Sequence, residues 1–506
     1  MFMDLRLGAL VEPITTRRWE PDAIATEVAR RVARFQRLGL TRGDRVFLPF
    51  GNRLEFFAEL LAIWRLGACA VPIDARLTAF EVATLVQAAS PRLAVIDDAT
   101  DPAVIAALTE AGVAHVLTTD TGDAQATAGL SHLDDDALIL FTSGSTGAPK
   151  GVVHTHRSLR ARWMALRDQL GTEAFARTLC MLPTHFGHGL ICNCLFPWLS
   201  GQDLYITPPF RPDIIMRLGA LLDEHRITFM SSVPSVWRMA LKLSRRPQAG
   251  SLQRVHVGSA PLSAHVWEEI RNWTGTRQVC NAYGITETGS WVAGLADADV
   301  PAEDGLIGEG WGAVIKVLRT CETDTPLDAG AECAVGETGY VWLNTPALMK
   351  GYFQRDDLTT KAVIDGWFFT GDIGVLDARG RLSLRGRERD EINKGGMKIY
   401  PADVDAVVER FDKASDVCTF AIEDAMYGQV VGMAVVLADT SDDTVRALHA
   451  WMQRHLAEPK MPARWWAVAE IPRTSRGKIN REAVRDACAG EAPLDMVQVL
   501  SARASS

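Results

Sequence analysis

Between Phe141 and Gly151 the chain reads Phe-Thr-Ser-Gly-Ser-Thr-Gly-Ala-Pro-Lys-Gly. Thr142, Ser143, Ser145 and Thr146 supply hydroxyl donors, and Lys150 supplies a point charge. Gly144 and Gly147 let the backbone curl and approach a ligand closely. Successive backbone N–H groups in such a curl form an anion-binding concavity, so the chemistry is that of a phosphate cradle. It differs from the kinase-type P-loop, where the lysine follows glycine and precedes Ser or Thr. Here Pro149 precedes Lys150 and Gly151 follows it. A second group lies in Asn281-Ala-Tyr-Gly-Ile-Thr-Glu-Thr-Gly289, where Glu287 is a hard oxygen donor suited to Mg²⁺. A carboxylate beside phosphates is accommodated by a bridging cation. A third, Pro472-Arg-Thr-Ser-Arg-Gly-Lys-Ile-Asn-Arg481, carries Lys478 on a short glycine arm.

Alternating strands and helices must position these groups. Ile24, Val28, Val32, Phe35 and Leu38 recur at helical spacing and stop at Gly39. Strands are expected at 45–50, 69–73 and 93–96, with helices near 55–66 and 79–88 between them. This pattern predicts parallel βαβ units. The apolar run Ala137–Phe141 reads as a buried strand entering the cradle, and a helix is expected from about Arg157. The segment 120–129, rich in Asp, Thr, Ala and Gly, reads as a surface connection. Ser231–Ser235 reads as a strand end leading into a helix that Ser235 helps to cap. Gly336–Trp342 and Met349–Phe353 read as two hairpin pieces of a β subdomain. Beyond them, a helix at 403–411, strands at 418–422 and 432–437 and a helix at 445–456 make a compact α+β unit.

A chain of 506 residues exceeds one ordinary core, which predicts two or more domains. With 47% hydrophobic and 23% charged residues it has the balance of a soluble globular protein. The net charge of −9 argues against a nucleic-acid or anionic-membrane surface as the main partner. The nine cysteines form no Cys-x-x-Cys pair, which favours reduced thiols over disulfides or zinc. Neither a signal-type apolar core nor an apolar run of transmembrane length stands out. The expected compartment is the cytoplasm.

The cradle, Tyr283-Gly-Ile-Thr-Glu287, Gly386-Arg-Glu-Arg-Asp-Glu-Ile-Asn-Lys-Gly-Gly396 and the Lys478 loop together resemble the acyl-adenylate-forming superfamily. That superfamily comprises acyl- and aryl-CoA synthetases, adenylation domains of nonribosomal peptide synthetases, and beetle luciferases. The resemblance spans roughly residues 24 to 485. It implies an α/β fold: a large N-terminal domain of parallel βαβ layers with a β subdomain, and a small mobile α+β C-terminal domain. The expected boundaries are 1–388 for the ATP- and acyl-binding domain and 389–506 for the lid.

The resemblance also implies roles. Thr142, Ser143, Gly144, Ser145, Thr146, Gly147 and Lys150 would hold the ATP phosphates, and Gly258, Ser259 and Ala260 would wall the adenine and acyl group. Tyr283 would lie against adenine, Thr286 would donate to the α-phosphate, and Glu287 would hold Mg²⁺ through ATP. Asp372 would accept from both ribose hydroxyls, with Arg387 nearby. Around Cys180-Met-Leu-Pro-Thr-His-Phe-Gly-His-Gly189, His185 and His188 either face the substrate or are hydrogen-bonded structural histidines. The amino-acid-activating relatives usually carry Phe-Asp at this point. No acidic residue stands here, which argues against an α-amino acid substrate. The acyl pocket is expected from His185, Phe186, His188, the Ser231–Ser235 stretch with Ser232, Gly258 to Ala260, Trp291 and Gly284; a small residue at Gly284 would leave room for a ring or chain. Arg389 stands at the hinge position, where relatives usually have Asp or Lys, and Gly395-Gly396 would lie beside the thiol donor. Lys478 would contact the carboxylate and α-phosphate.

The expected activity is that of an AMP-forming carboxylic acid:thiol ligase. It uses ATP, Mg²⁺ and CoA to convert a small-molecule carboxylic acid to an acyl-adenylate and then a thioester. One alternative is a stand-alone enzyme loading the phosphopantetheine arm of a separate carrier protein. A distant one is a non-catalytic nucleotide-binding protein. The short stretch after Lys478 leaves no room for a fused carrier domain, so a separate thiol acceptor is expected. Neither nucleic acid nor membrane insertion is expected.

Overall fold

The computed structural model describes residues 6–123, 131–142, 149–209, 211–319, 331–387, 390–394, 397–424, 427–456, 458–474 and 478–495. Three sheets organise them. In the first, Cys69–Pro72, Arg45–Leu48, Leu93–Ile96 and Ala114–Leu117 pair in parallel, as the βαβ pattern predicts. Asp136–Thr142 joins them in parallel, and Lys150–Thr155 returns antiparallel to it. The cradle therefore spans the end of a hairpin whose last pair is Thr142 and Lys150.

The second and largest sheet holds a parallel run in the order Asp203–Ile206, Arg177–Cys180, Phe229–Ser232, Arg254–Gly258 and Val279–Ile285. It continues antiparallel through Ser290–Gly294, Leu306–Gly310, Leu382–Arg387, Trp367–Leu376, Thr338–Asn344 and Val314–Leu318. The β subdomain is thus an extension of the large sheet. Met349–Phe353 is not part of it. Gly351–Tyr352 pairs instead with Val152–Val153 beside the cradle, a long-range match that no local pattern reveals.

The helices Pro21–Arg37 and Leu54–Arg65 contribute to one core shared by these two sheets. From Leu54 to Trp64 every residue of the second helix is buried, including Glu55 and Glu59. A helix covered all round belongs between layers. Glu59 is tolerated there because Arg31, Arg34 and the Thr118 hydroxyl satisfy its carboxylate.

Two expectations shift locally. The helix Pro234–Leu243 is capped at Val233 with Pro234 in its first turn, so Ser235 lies inside the helix and does not cap it. Proline suits that position because its missing N–H would have no helical partner there. Of the expected surface connection at 120–129, residues 124–129 lie outside the described residues.

The third sheet, in the smaller C-terminal part, pairs Ala414–Asp424 with Gly428–Leu437, adds Arg464–Ala467 in parallel and ends on Ile392–Lys394 and Met397–Ile399. The helices Pro401–Val408 and Asp442–His455 share its core. Among the described residues no helix is long and apolar enough to cross a membrane.

Candidate active site

The phosphate side is built on the hairpin. Ser143, Gly144, Ser145, Thr146 and Gly147 lie outside the described residues, but both ends of the cradle are fixed. Thr142 and Lys150 face each other across the ladder, and the Lys150 ammonium stands 5.8 Å from the Tyr352 ring centroid. The Tyr352 hydroxyl donates to Glu287 Oε1 at 2.8 Å. Burial, reinforced by the Glu287 charge, pushes the Tyr352 phenol well above its ordinary range, so it stays a donor. Sequence reasoning missed Tyr352, because its link to Glu287 depends on the Gly351–Tyr352 pairing.

Thr286 and Glu287 sit on a single 3₁₀ turn, Thr286–Thr288, that ends on left-handed Gly289. Two buried side chains hold it. His154 Nε2 lies 2.7 Å from the Thr286 carbonyl, and the Arg162 guanidinium donates twice to the Thr288 carbonyl at 3.0 and 3.2 Å. Neither was apparent in the sequence. His154 lies in Lys150–Thr155, so the hairpin positions the turn that carries Glu287.

Burial dominates the protonation of this region. It lowers His154 and His156 from 6.5 to about 4, and with the nearby Lys478 charge it lowers His188 to about 3. Below pH 6.5 the unfolded chain takes up protons that the native state refuses until about pH 4, so stability falls as pH drops through that window. One such histidine is worth on the order of 3 kcal/mol by pH 4. The urea midpoint should therefore decrease between pH 6.5 and 5, and His154→Gln should flatten that slope. A midpoint constant over this interval would contradict the assignment.

On the nucleoside side, the Tyr283 hydroxyl donates to Asp372 Oδ2, while Arg387 Nε donates to Oδ1 at 2.8 Å. Tyr283 and Asp372 are buried and Arg387 closes the network from a partly exposed position, its guanidinium raised chiefly by the Asp372 charge. A carboxylate offers about four lone-pair sites, so Asp372 retains acceptor capacity. The Tyr283 ring packs with Val292, Ile307 and Val341.

Alongside, the Gly258–Ala260 turn leaves the parallel sheet at the C-terminal end of Arg254–Gly258. A Cβ at Gly258 would lie 2.5 Å from the Ala282 carbonyl, so strand packing demands glycine there. Ser259 is left-handed at φ +68°, a conformation costly for a residue with a side chain. Its hydroxyl lies 2.9 Å from His188 Nδ1.

His188 begins the π-helix His188–Leu195, a geometry that tends to occur at functional sites. Its Nε2 lies 2.6 Å from Ser231 Oγ, which donates onward to the His256 carbonyl at 3.2 Å. Within the expected Ser231–Ser235 stretch it is Ser231 that reaches His188, while Ser232 lies on the other side of the strand, since neighbouring side chains of a strand point to opposite faces. Gly284 also needs a different explanation. A Cβ there would lie 2.0 Å from the Ser290 carbonyl, so the missing side chain makes room for the adjacent strand and not for substrate.

His185 turns the other way, its Nε2 3.5 Å from Asp74 Oδ2 in the turn after Cys69–Pro72. Phe186 lies between the two histidines, its ring 5.9 Å from that of His188. A Cβ on Gly187 would stand 3.8 Å from Thr286 Oγ1, which brings the Thr286 hydroxyl to this same stretch.

Lys478 comes from the C-terminal part, with its Nζ 6.0 Å from the Phe186 ring centroid. Its loop is closed by the Arg473–Ile479 bridge, by Thr474 N donating to the Lys478 carbonyl at 2.8 Å, and by Arg473 on Asp416 at 2.6 and 2.8 Å. The ion pairs Arg238–Glu409 and Arg410–Asp304 join this part to the helix Pro234–Leu243 and to the stretch before Leu306–Gly310. Arg389, Gly395 and Gly396 lie outside the described residues. Among the described residues no cluster of three or more metal-ligating side chains occurs. A single carboxylate, Glu287, suits a Mg²⁺ ion that takes its other ligands from phosphate and water.

Residues 23–353 match the model of the AMP-binding enzyme family, and residues 403–478 match that of the AMP-binding enzyme C-terminal domain. The long-chain-fatty-acid–CoA ligase FadD13 of Mycobacterium tuberculosis is 27% identical over 507 residues, covering 96% of this chain and 97% of that protein. The fatty acid–[acyl-carrier-protein] ligase ScoC of Streptomyces coeruleorubidus is 31% identical, covering 88% of this chain and 87% of that protein. ATP-bound MatB from Rhodopseudomonas palustris superposes with a TM-score of 0.85 at 25% identity, with 96% of each chain covered.

Proposed function

Because the chain belongs to the AMP-binding enzyme family, as an AMP-forming acid–thiol ligase, we propose that it joins a small carboxylic acid to CoA through an acyl-adenylate. The observation that best supports this is that the Lys478 ammonium of the C-terminal part stands 6.0 Å from the Phe186 ring, in the stretch that carries His188 and whose Gly187 approaches Thr286 of the Glu287 turn.

In this reading the substrate carboxylate attacks the α-phosphorus of ATP and pyrophosphate leaves. Two anions must meet, so the barrier is largely electrostatic and positional. The Lys478 ammonium offsets the repulsion between them, the Thr286 hydroxyl orients the α-phosphate, and Lys150 with the cradle holds the departing phosphates. Asp372 and Arg387 anchor the ribose. Glu287, steadied by Tyr352, would hold Mg²⁺, which supplies charge neutralisation to the phosphates. His188, with both ring nitrogens engaged by serines and its basicity lowered, shapes the acyl side and does not act as a base. The C-terminal domain, taken to start at residue 389, then turns about Arg389, withdrawing Lys478 and bringing Gly395-Gly396 to the thiol.

The test is carboxylate-dependent exchange of pyrophosphate into ATP, followed by product mass after incubation with CoA or with a phosphopantetheinylated carrier protein. Exchange with a non-amino acid and an acyl-CoA product is expected. Product only on the carrier would move the acceptor to the chemistry named for ScoC, and the absence of exchange with any acid would overturn the proposal.

A further inference from the structure

Among the described residues, two ion pairs cross from the C-terminal part to the large N-terminal part, Arg238–Glu409 and Arg410–Asp304. Their signs are crossed. Glu409 and Arg410 are consecutive residues at the end of the helix Pro401–Val408, and each meets its opposite. Both partners are seated on one patch. Arg238 lies on the helix Pro234–Leu243, which packs against the helix Ala264–Thr274. Asp304 Oδ1 accepts from the Ala264 N–H at 2.7 Å, which ties it to the start of that second helix and leaves Oδ2 for Arg410. Burial pushes the Glu409 carboxyl up and the Arg238 charge opposes this, so the carboxylate depends on its partner. A shifted register would bring Glu409 toward Asp304 and Arg410 toward Arg238, and like charges set together repel. The crossed pattern therefore fits one pose of the C-terminal part. That pose is passed on to Lys478. The helix that ends at Glu409 carries Asp405, which accepts at 2.7 Å from Nη2 of Arg481, close behind Lys478 in the chain. The Lys478 Nζ in turn stands 6.0 Å from the Phe186 ring centroid.

We infer that Glu409 and Arg410, with Arg238 and Asp304, are positioning residues for Lys478: the crossed pairs fix the pose of the C-terminal part in which the ammonium stands over Phe186. They act through the helix Pro401–Val408 and the Asp405–Arg481 pair. The inference rests on the adenylating reading above. In that reading the thiol step needs the C-terminal part turned away, so the crossed pairs serve the first half-reaction and are dispensable in the second.

The experiment compares the native full chain with Glu409→Gln/Arg410→Gln, with Arg238→Glu, and with the charge-reversed pair Arg238→Glu/Glu409→Arg. A partly exposed pair is worth up to about fivefold in an equilibrium. Losing both should therefore lower pyrophosphate exchange, with the best acid among acetate, benzoate and octanoate, by about 5–25-fold in kcat/KM. Thioester formation from the matching acyl-adenylate and CoA should stay close to native. Charge reversal should recover most of the loss that Arg238→Glu causes alone. Unchanged exchange, equal loss in both half-reactions, or no recovery on charge reversal would overturn the inference while leaving the adenylating reading intact. Absence of exchange by the native chain with every acid would instead overturn that reading. Hydrogen exchange of the chain without substrate then decides the pose separately. Exchange faster by about fivefold over residues 183–187 and 404–411 in Glu409→Gln/Arg410→Gln upholds the positioning role, and unchanged exchange at 183–187 overturns it.

Discussion

Pyrophosphate exchange is expected to fall by about 10²–10³-fold in Lys478→Ala, with ATP still bound. The ammonium stands over Phe186 on a loop anchored through Arg473 to Asp416, so its position is set before substrate arrives. A preorganised charge aimed at developing negative charge is worth about 2.7–4 kcal/mol of barrier, which sets the size of the loss. Nucleotide affinity should change much less, because Tyr283, Asp372, Arg387 and Lys150 remain in place. Lys478→Arg should recover only part of the rate, since a planar guanidinium does not reproduce a compact ammonium. Thioester formation from a supplied acyl-adenylate should persist in Lys478→Ala if the lysine serves the first half-reaction alone. An exchange rate within tenfold of native would remove Lys478 from the mechanism proposed here.

Asp405→Ala should destabilise the C-terminal domain by about 3–5 kcal/mol, the usual cost of leaving one partner of a buried ion pair alone. Asp405, on the helix Pro401–Val408, accepts from Arg481 NH2 at 2.7 Å and from the Thr419 backbone N–H at 2.8 Å. Arg481 also donates to the Thr419 carbonyl at 2.6 Å. It opens the helix Arg481–Ala489, just after Lys478, so this cluster ties helix, sheet and the Lys478 loop together. Loss of Asp405 should therefore lower adenylation even though Lys478 is retained. Urea unfolding with hydrogen exchange across residues 401–489 would measure it, and Asp405→Ala with Arg481→Met should lose less than the sum of the single changes. Additive losses would show that the pair is not coupled.

Lys150, Glu287 and Lys478 could be picked out as candidates because each stands in a local string whose glycines, hydroxyls and charge fall within a few residues. Strand and helix placement was similarly readable where apolar spacing is regular. The strand at 93–96 appears as Leu93–Ile96, and the helix at 55–66 as Leu54–Arg65. The parallel βαβ character followed from the alternation of these elements.

Other features depend on which strand lies beside which, and no local spacing contains that. Tyr352 reaches Glu287 only because Gly351–Tyr352 pairs with Val152–Val153. His185 and His188, three positions apart, turn to different sheets, one to Asp74 and the other to Ser231 and Ser259. Ser231 and Ser232 stand in one linear stretch, but the pleat carries them to opposite faces, and the close approach of Ser290 accounts for Gly284. The sequence by itself determined the family, the α/β class and the chemistry-bearing motifs, because those are written in backbone-local patterns. Only the tertiary structure decided what holds each candidate group, because burial and hydrogen-bond partnership arise from contacts between segments distant along the chain.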